Sequence, residues 1–327
     1  MPFLAQALDP NQVQRQFDQT LLPDIAGRRS LRLQAIRVRR YKPERRCLFE
    51  YDVMVEYPHS RGANETLLGK ARAKPVDRMN YQIVQSLWQS GFSDTSQDGI
   101  SVPEPVGLIP EFHMSLQRKM PGVTTTQALA GVQGVPIARR IAEAAHKLHQ
   151  AGIAVDRFHS ISDEISILSE RLEQAARLKP SLEPRLYRLM EACSSLANAM
   201  KAPQTTGIHR DFYADQVLLD ESRLFILDLD LVCQGDPALD IGNFIGHITE
   251  YSLRVSGQAE ALQDREQALE DRFVELTGES SRIRVRAYAL LTLARHIYLS
   301  TQFPERQAFT QAILELCERW VAVPFAD

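Results

Sequence analysis

One segment past the midpoint of the chain combines acidic side chains with two short apolar runs. The runs Val217–Leu219 and Leu224–Leu227 flank a polar turn, and this pattern predicts a small β-hairpin. Asp211 precedes the first predicted strand and Asp228 ends the second, so a hairpin would bring both carboxylates toward one edge. Carboxylate oxygens, together with the amide oxygen of Gln216, are ligands that suit a hard cation. The segment therefore predicts a cation site built from oxygen ligands.

A carboxylate beside such a cation could also accept a proton from an attacking hydroxyl group, which is general base chemistry. The same residues allow a purely structural interpretation. In that interpretation Asp211 and Asp215 are turn or helix-cap residues, and Asp228 is solvated. An Asp-rich loop taken alone favours the structural interpretation, so the surrounding residues must decide between the two.

The surrounding residues match a longer pattern. His209-Arg210-Asp211, then Gln216, then Leu227-Asp228 resemble the catalytic and metal loops of protein-kinase-like enzymes. The continuation Gly235-Asp236-Pro237-Ala238-Leu239-Asp240 resembles the aminoglycoside phosphotransferase and choline kinase-like family, whose members often read HGDLHPGN, then IDFD, then GDPALDLA. The full set within one short window is far more specific than any single part, and it favours the catalytic interpretation.

The resemblance implies an α+β protein with the two-lobed protein-kinase-like fold. A small N-terminal lobe, residues 1–119, would hold an antiparallel β-sheet and bind the nucleotide. A larger and mostly helical C-terminal lobe, residues 120–327, would carry the catalytic and metal loops and the acceptor site. The implied reaction moves the γ-phosphoryl group of ATP or GTP, with Mg²⁺, to a hydroxyl of a small molecule. Aminoglycosides, sugars, amino alcohols and related metabolites are the implied acceptors.

The resemblance also implies a role for individual residues. Asp211 would be the catalytic carboxylate that orients the acceptor hydroxyl and takes its proton. Asp228 and Gln216 would hold the metal ions, and Lys70, on the third predicted strand, would pair with the α- and β-phosphates. Asp240 would act structurally, fixing the catalytic loop from the start of a helix.

Two departures from the family pattern concern metal and phosphate binding. Gln216 stands where the family usually has asparagine, and its amide lies one methylene further from the backbone. No glycine occurs in residues 37–47, so a glycine-rich loop over the phosphates is missing. Gln216, together with the lack of an acid on the helix after the third strand, keeps a second interpretation open, in which the protein is a nucleotide-binding pseudokinase or a regulatory scaffold without transfer activity.

A third departure concerns the lysine. The helix predicted over Asn80–Gln89 contains no Glu or Asp that could pair with Lys70. Asp77 and Glu65 are the nearest acids in sequence, and Lys74 is an alternative to Lys70 as the phosphate-binding residue.

The elements that position these residues follow from hydrophobic periodicity. Alternation of apolar and polar residues predicts strands in the first third, followed by one helix: Leu33–Val38, Cys47–Tyr57, Thr66–Ala73 and then Asn80–Gln89. Apolar residues at helical spacing predict helices in the remainder, through Ile137–Leu148, Ile165–Ala175, Leu186–Met200, and after about residue 255 with a stop at Gly278.

Composition limits the partners and the compartment. The 327 residues include 38 Lys and Arg against 41 Asp and Glu, a formal charge of −3 that gives no global attraction to nucleic acid or anionic membrane. The start of the sequence lacks the pattern of a signal peptide, and the run Ala287–Ala294 is too short to span a bilayer. Four dispersed cysteines form no CxxC pair. We therefore predict a soluble cytoplasmic protein whose partners are nucleotide and small molecule, and the sequence leaves its oligomeric state open.

Overall fold

The predicted strands and helices form, although the third predicted strand ends at Arg72 and not at Ala73, and the helix predicted to reach Met200 ends at Ala199. Tyr57, the predicted end of the second strand, lies outside the described residues. The computed structural model describes residues 1, 3–21, 30–56, 62–76, 78–200 and 203–322. Its α-helices are α1 (Leu4–Leu8), α2 (Pro10–Gln16), α3 (Arg78–Gln89), α4 (Thr125–Leu129), α5 (Gly134–His149), α6 (Ile161–Leu178), α7 (Glu183–Ala199), α8 (Ala238–Ser256), α9 (Gln263–Thr277), α10 (Ser281–Thr301) and α11 (Thr310–Ala322). Its strands are β1 (Ser30–Lys42), β2 (Arg46–Glu56), β3 (Ala63–Arg72), β4 (Ile100–Ser101), β5 (Pro105–Ile109), β6 (Met114–Arg118), β7 (Val123–Thr124), β8 (Phe158–His159), β9 (Thr206–Ile208), β10 (Val217–Asp220), β11 (Arg223–Ile226) and β12 (Cys233–Gly235).

The chain divides into two compact units. The first contains Met1–Gly122 and Glu221–Leu227, and the second contains Val123–Asp220 and Asp228–Asp327. The segment Glu221–Leu227 belongs to the first unit although it lies far along the range predicted as the C-terminal lobe. It contributes β11, which pairs in parallel with β4. The assignment of nucleotide binding to one lobe and acceptor binding to the other stays a prediction.

The first unit is built on a five-stranded sheet of order β1-β2-β3-β6-β5, in which neighbouring strands are antiparallel. Alternation along β2 buries the side chains of Phe49, Tyr51 and Val53 on one face of the sheet. That face is in one apolar core with Val13 and Phe17 from the N-terminal helical segment. The hydroxyl of Tyr51 donates to the carbonyl of Ala7 at 3.0 Å. The helices before residue 22, which hydrophobic periodicity did not predict, therefore cover one face of the sheet.

The second unit is mostly helical, and its helices α8 and α10 pack closely. A Cβ atom on Gly242 would lie 2.5 Å from the Cβ of Tyr288, and one on Gly246 would lie 2.8 Å from the Cβ of Thr292. Only glycine fits at such contacts, so the two glycines let the helix backbones approach. This packing fixes the first turns of α8, which carry residues of the candidate site.

A small sheet of order β8-β12-β9 completes the frame around that site. Strand β9 pairs antiparallel with β12, with Ile208 opposite Cys233.

The four cysteines of the chain are buried and free of disulfides. Within the ranges that the structure describes, no helix combines the length and apolarity needed to cross a membrane.

Candidate active site

The loop that follows β9 carries Asp211, and Asp240 in the first turn of α8 holds this loop in place. The Asp240 carboxylate accepts the backbone N–H of Arg210 at 2.7 Å and that of His209 at 2.8 Å. Nε2 of His149 lies 2.8 Å from the same carboxylate, and both side chains are buried. Arg210 has a φ of 71°, a left-handed conformation that non-glycine residues rarely adopt. The predicted structural role of Asp240 is confirmed, since its hydrogen bonds stabilise this strained turn.

A second anchor holds the loop on the other side of Asp211. Asn243, one turn after Asp240, donates its Nδ2 to the carbonyl of Phe212 at 3.0 Å. Its Oδ1 accepts from Arg295 at 2.8 Å and from Thr292 at 3.2 Å. Sequence reasoning missed Asn243, although its spacing of three residues from Asp240 on a helix places both side chains on the same face.

Asp211 and Asp228 are close enough for their charges to interact. Burial raises the pKa of Asp211, and the negative charge of Asp228 raises it further, while His209, Arg295 and Arg210 act in the opposite direction. Asp228 has a left-handed backbone, with a φ of 54°. The structure thus brings together the two carboxylates that the sequence singled out.

This pair of carboxylates fits a divalent cation. Two adjacent carboxylates that repel each other gain from a positive ion that prefers oxygen ligands. Among the residues that the structure describes, no three or more His, Cys, Asp and Glu side chains gather into a metal site.

Asp215 and Gln216 lie after Asp211 in the chain, in a short 3-10 turn formed by Ala214–Gln216. The Gln216 side chain donates to the hydroxyl of Tyr213 at 3.4 Å. Asp215 accepts a hydrogen bond of 2.6 Å from the hydroxyl of Thr126. Burial raises the pKa of Tyr213, and the negative charges of Asp211, Asp215 and Asp228 raise it further. The structure places Gln216 beside Tyr213 in this turn, and its role as a metal ligand stays a prediction.

Lys70 lies in the first unit, in the middle of β3 between Leu48 of β2 and Ser115 of β6. Its side chain is half-buried on the sheet face opposite the apolar core. Lys74 lies beyond the end of β3 and is exposed, so its placement is less suited to a fixed phosphate contact. Glu65 is five residues from Lys70 on the same regular strand and therefore points to the opposite face. Asp77 lies outside the described residues.

A buried acid that the sequence did not reveal shares the Lys70 face of the sheet. Glu50 is opposite Leu68 on β3, one diagonal step from Lys70, and its side chain is only 4% exposed. It accepts a hydrogen bond from Lys119 at 2.7 Å and forms ion pairs with Arg37 and Arg39 at 3.3 Å. Burial alone would raise the pKa of Glu50, but Lys119, Arg37 and Arg39 together hold it below its usual value. In the sequence, the signal for this buried residue was an acid standing among the alternating apolar residues of β2.

An antiparallel five-stranded sheet in one unit, a mostly helical second unit, and the aspartates Asp211 after β9 and Asp228 after β11 are features of the protein-kinase-like fold of small-molecule kinases. Residues 92–281, more than half of the chain, match the model of the phosphotransferase enzyme family. The chain belongs to this family, which confirms the predicted fold class and enzyme class.

Solved structures support the fold at low sequence identity. A choline/ethanolamine kinase family protein from Mesorhizobium loti is 15% identical with a TM-score of 0.58, covering 96% of this chain and 95% of that one. A thermostable mutant of aminoglycoside phosphotransferase APH(4)-Ia, in a ternary complex with ADP and hygromycin B, is 14% identical with a TM-score of 0.58, covering 89% and 96%. A glucosamine kinase is 14% identical with a TM-score of 0.51, covering 93% and 95%. A search of curated proteins finds no significant match.

Proposed function

We propose that this protein transfers the γ-phosphoryl group of ATP or GTP to a hydroxyl of a small molecule. The observation that carries this proposal is the interacting pair Asp211 and Asp228, together with the loop of Asp211, which Asp240 and Asn243 fix on either side. Phosphoryl transfer depends on positioning and electrostatics, so a rigid loop that presents a carboxylate is the element that this reaction needs.

In the proposed reaction Asp211 orients the acceptor hydroxyl and takes its proton. A bond forms between the acceptor oxygen and the γ-phosphorus, and the bond from that phosphorus to the bridging oxygen breaks. The nucleoside diphosphate leaves with the electron pair of the broken bond. Because burial raises the pKa of Asp211, its carboxylate is a better proton acceptor than an exposed aspartate.

Asp228, with Gln216, is proposed to hold Mg²⁺, and Lys70 to pair with the nucleotide phosphates. When bound, Mg²⁺ would offset the negative charge of the phosphates. Support for nucleotide use comes from the structurally similar phosphotransferase bound to ADP and hygromycin B. A glucosamine kinase among the similar structures supports a small hydroxylated acceptor.

Thermal melting with nucleotide tests the binding half of this proposal. A ligand at 100 times its Kd stabilises a protein by about 2.7 kcal/mol, which we expect to raise the Tm by several degrees. MgATP or MgGTP should produce this shift, and EDTA should remove most of it. Asp228→Asn should lose the Mg²⁺-dependent part, while Asp220→Asn, a matched control at the end of β10, should keep it.

The outcomes separate the two interpretations of the sequence. A nucleotide-dependent shift together with release of ADP or GDP on addition of an acceptor supports the kinase. A shift with no transfer to any acceptor supports the pseudokinase interpretation. No shift with either nucleotide contradicts both.

A further inference from the structure

The second unit contains an open cavity of about 250 Å³ beside the catalytic loop. Tyr213 and Asp215, which follow Asp211 in that loop, form part of its wall. Tyr213 lies two residues after Asp211, and its hydroxyl accepts a hydrogen bond from Gln216 at 3.4 Å, so the cavity adjoins the loop that carries Asp211. Pockets for drug-sized ligands measure roughly 300–1,000 Å³, which makes this one suitable for a molecule of monosaccharide size.

The wall opposite the loop carries two arginines around one buried acid. Arg254 donates its Nε to Glu250 at 2.9 Å, and Arg306 lies 4.0 Å from the same carboxylate oxygen. The Glu250 side chain is only 5% exposed, whereas the arginine side chains are 27% and 30% exposed. Two guanidinium groups share one carboxylate, so this wall has a net positive charge.

Besides Glu250 and the two arginines, the cavity is lined by two histidines and Asp215. His247 and His296 line the cavity, and burial lowers both pKa values, that of His296 to about 3, so both rings are neutral near pH 7. Asp215 accepts a short hydrogen bond from Thr126, and its carboxylate adds one negative charge to the lining. Two arginines and two carboxylates therefore balance, so the cavity is not an acidic pocket of the kind that would attract a polycation, and its positive charge is concentrated at Arg254 and Arg306.

The geometry points to an acceptor that is a small hydroxylated anion, held by Arg254 and Arg306 while a hydroxyl faces Asp211. This inference rests on the proposed function and names the substrate class of that site. A guanidinium forms several charge-assisted hydrogen bonds to a carboxylate or phosphate, and the bond of Arg254 to Glu250 uses only its Nε–H. Tyr213 and His247, stacked with 4.6 Å between ring centroids, both line the cavity and supply aromatic carbon surface for a sugar-like carbon chain.

Equilibrium binding to a charge-matched set of sugars tests the inference. D-gluconate, D-glucose and D-glucosamine carry similar hydroxyl chains with negative, neutral and positive charge, and glucose 6-phosphate separates phosphate from carboxylate recognition. Calorimetry on the full chain, with a non-hydrolysable nucleotide and Mg²⁺, should give at least about tenfold lower Kd for one of the two anions than for glucosamine. Hygromycin B serves as the polycationic comparison.

Variants locate the binding. Arg306→Gln should raise the Kd of the preferred anion about 10- to 100-fold, the loss expected when a charge-assisted hydrogen bond is removed. Arg254→Gln should act similarly, and Arg254→Lys should restore part of the affinity. Arg286→Gln is the matched control. The Nε of Arg286 lies 2.9 Å from the buried Glu270, the same distance that separates Arg254 from Glu250, and Arg286 is not part of the cavity lining.

The outcomes distinguish this inference from the proposed function. Tighter binding of glucosamine or hygromycin B, no binding of either anion, or anion binding that Arg306→Gln leaves unchanged would each overturn it. Loss of nucleotide binding would contradict the phosphotransferase proposal instead. Arg306-dependent anion binding would support the anion site even then.

Discussion

Asp240 offers the sharpest test of how the catalytic loop is held, through the substitution Asp240→Asn. The buried carboxylate accepts three hydrogen bonds, from the N–H groups of His209 and Arg210 and from the ring of His149. Asparagine keeps one acceptor oxygen but turns an NH₂ group toward at least one of these donors. The change removes a charge-assisted hydrogen bond and leaves a buried donor unsatisfied, which together cost about 3–5 kcal/mol.

Urea unfolding followed by circular dichroism measures this cost. We expect the free energy of unfolding to fall by that amount, which is a large fraction of the roughly 5–15 kcal/mol typical of proteins. Asp264→Asn is the control, since Asp264 is exposed and pairs with Arg265 on the surface, where such pairs contribute about 0–1 kcal/mol. A loss below about 1 kcal/mol for Asp240→Asn would refute the conclusion that this carboxylate anchors the loop.

Two further predictions concern pH and metal. Burial raises the pKa of Glu266 to about 7, although Thr249 donates to it, so its protonated form stabilises the folded state and this stability is lost as the pH rises through about 7. The Tm of the wild type should fall more than that of Glu266→Gln between about pH 6 and pH 8, and parallel curves would contradict this. The shorter side chain of Gln216→Asn should lower the Mg²⁺ concentration that gives half-maximal transfer; an unchanged Mg²⁺ requirement would argue against Gln216 as a metal ligand.

Hydrophobic periodicity predicted the elements whose buried and exposed residues follow a regular pattern in their own sequence. Apart from the buried Glu50, strand β2 alternates buried and half-buried residues between its exposed ends, so it could be predicted as a strand from its own sequence. The N-terminal helices could not be predicted in this way. Helix α1 has five residues and α2 has seven, too short to be stable alone. They are stabilised by packing on Phe49 and Tyr51, which lie far along the chain.

The same dependence on residues that are distant in the chain explains which site residues the sequence revealed. Asp211, Asp228 and Asp240 lie in one continuous motif, so the sequence and its resemblance to the family were enough to single them out, and the catalytic and metal roles of Asp211 and Asp228 stay predictions. Asn243 and Glu50 owe their positions to partners that only folding brings near. Arg295 is 52 residues from Asn243, and Lys119 is 69 residues from Glu50.

Phosphoryl transfer by Asp211→Asn tests the central claim most directly. The measurement is the rate of nucleoside diphosphate production with MgATP and the best acceptor of the charge-matched set, beside the nucleotide Kd of the same preparation. Loss of a positioned base typically slows a reaction about 10²–10⁴-fold, and we expect a loss of this size with nucleotide affinity nearly unchanged. Wild-type turnover by Asp211→Asn would contradict the account.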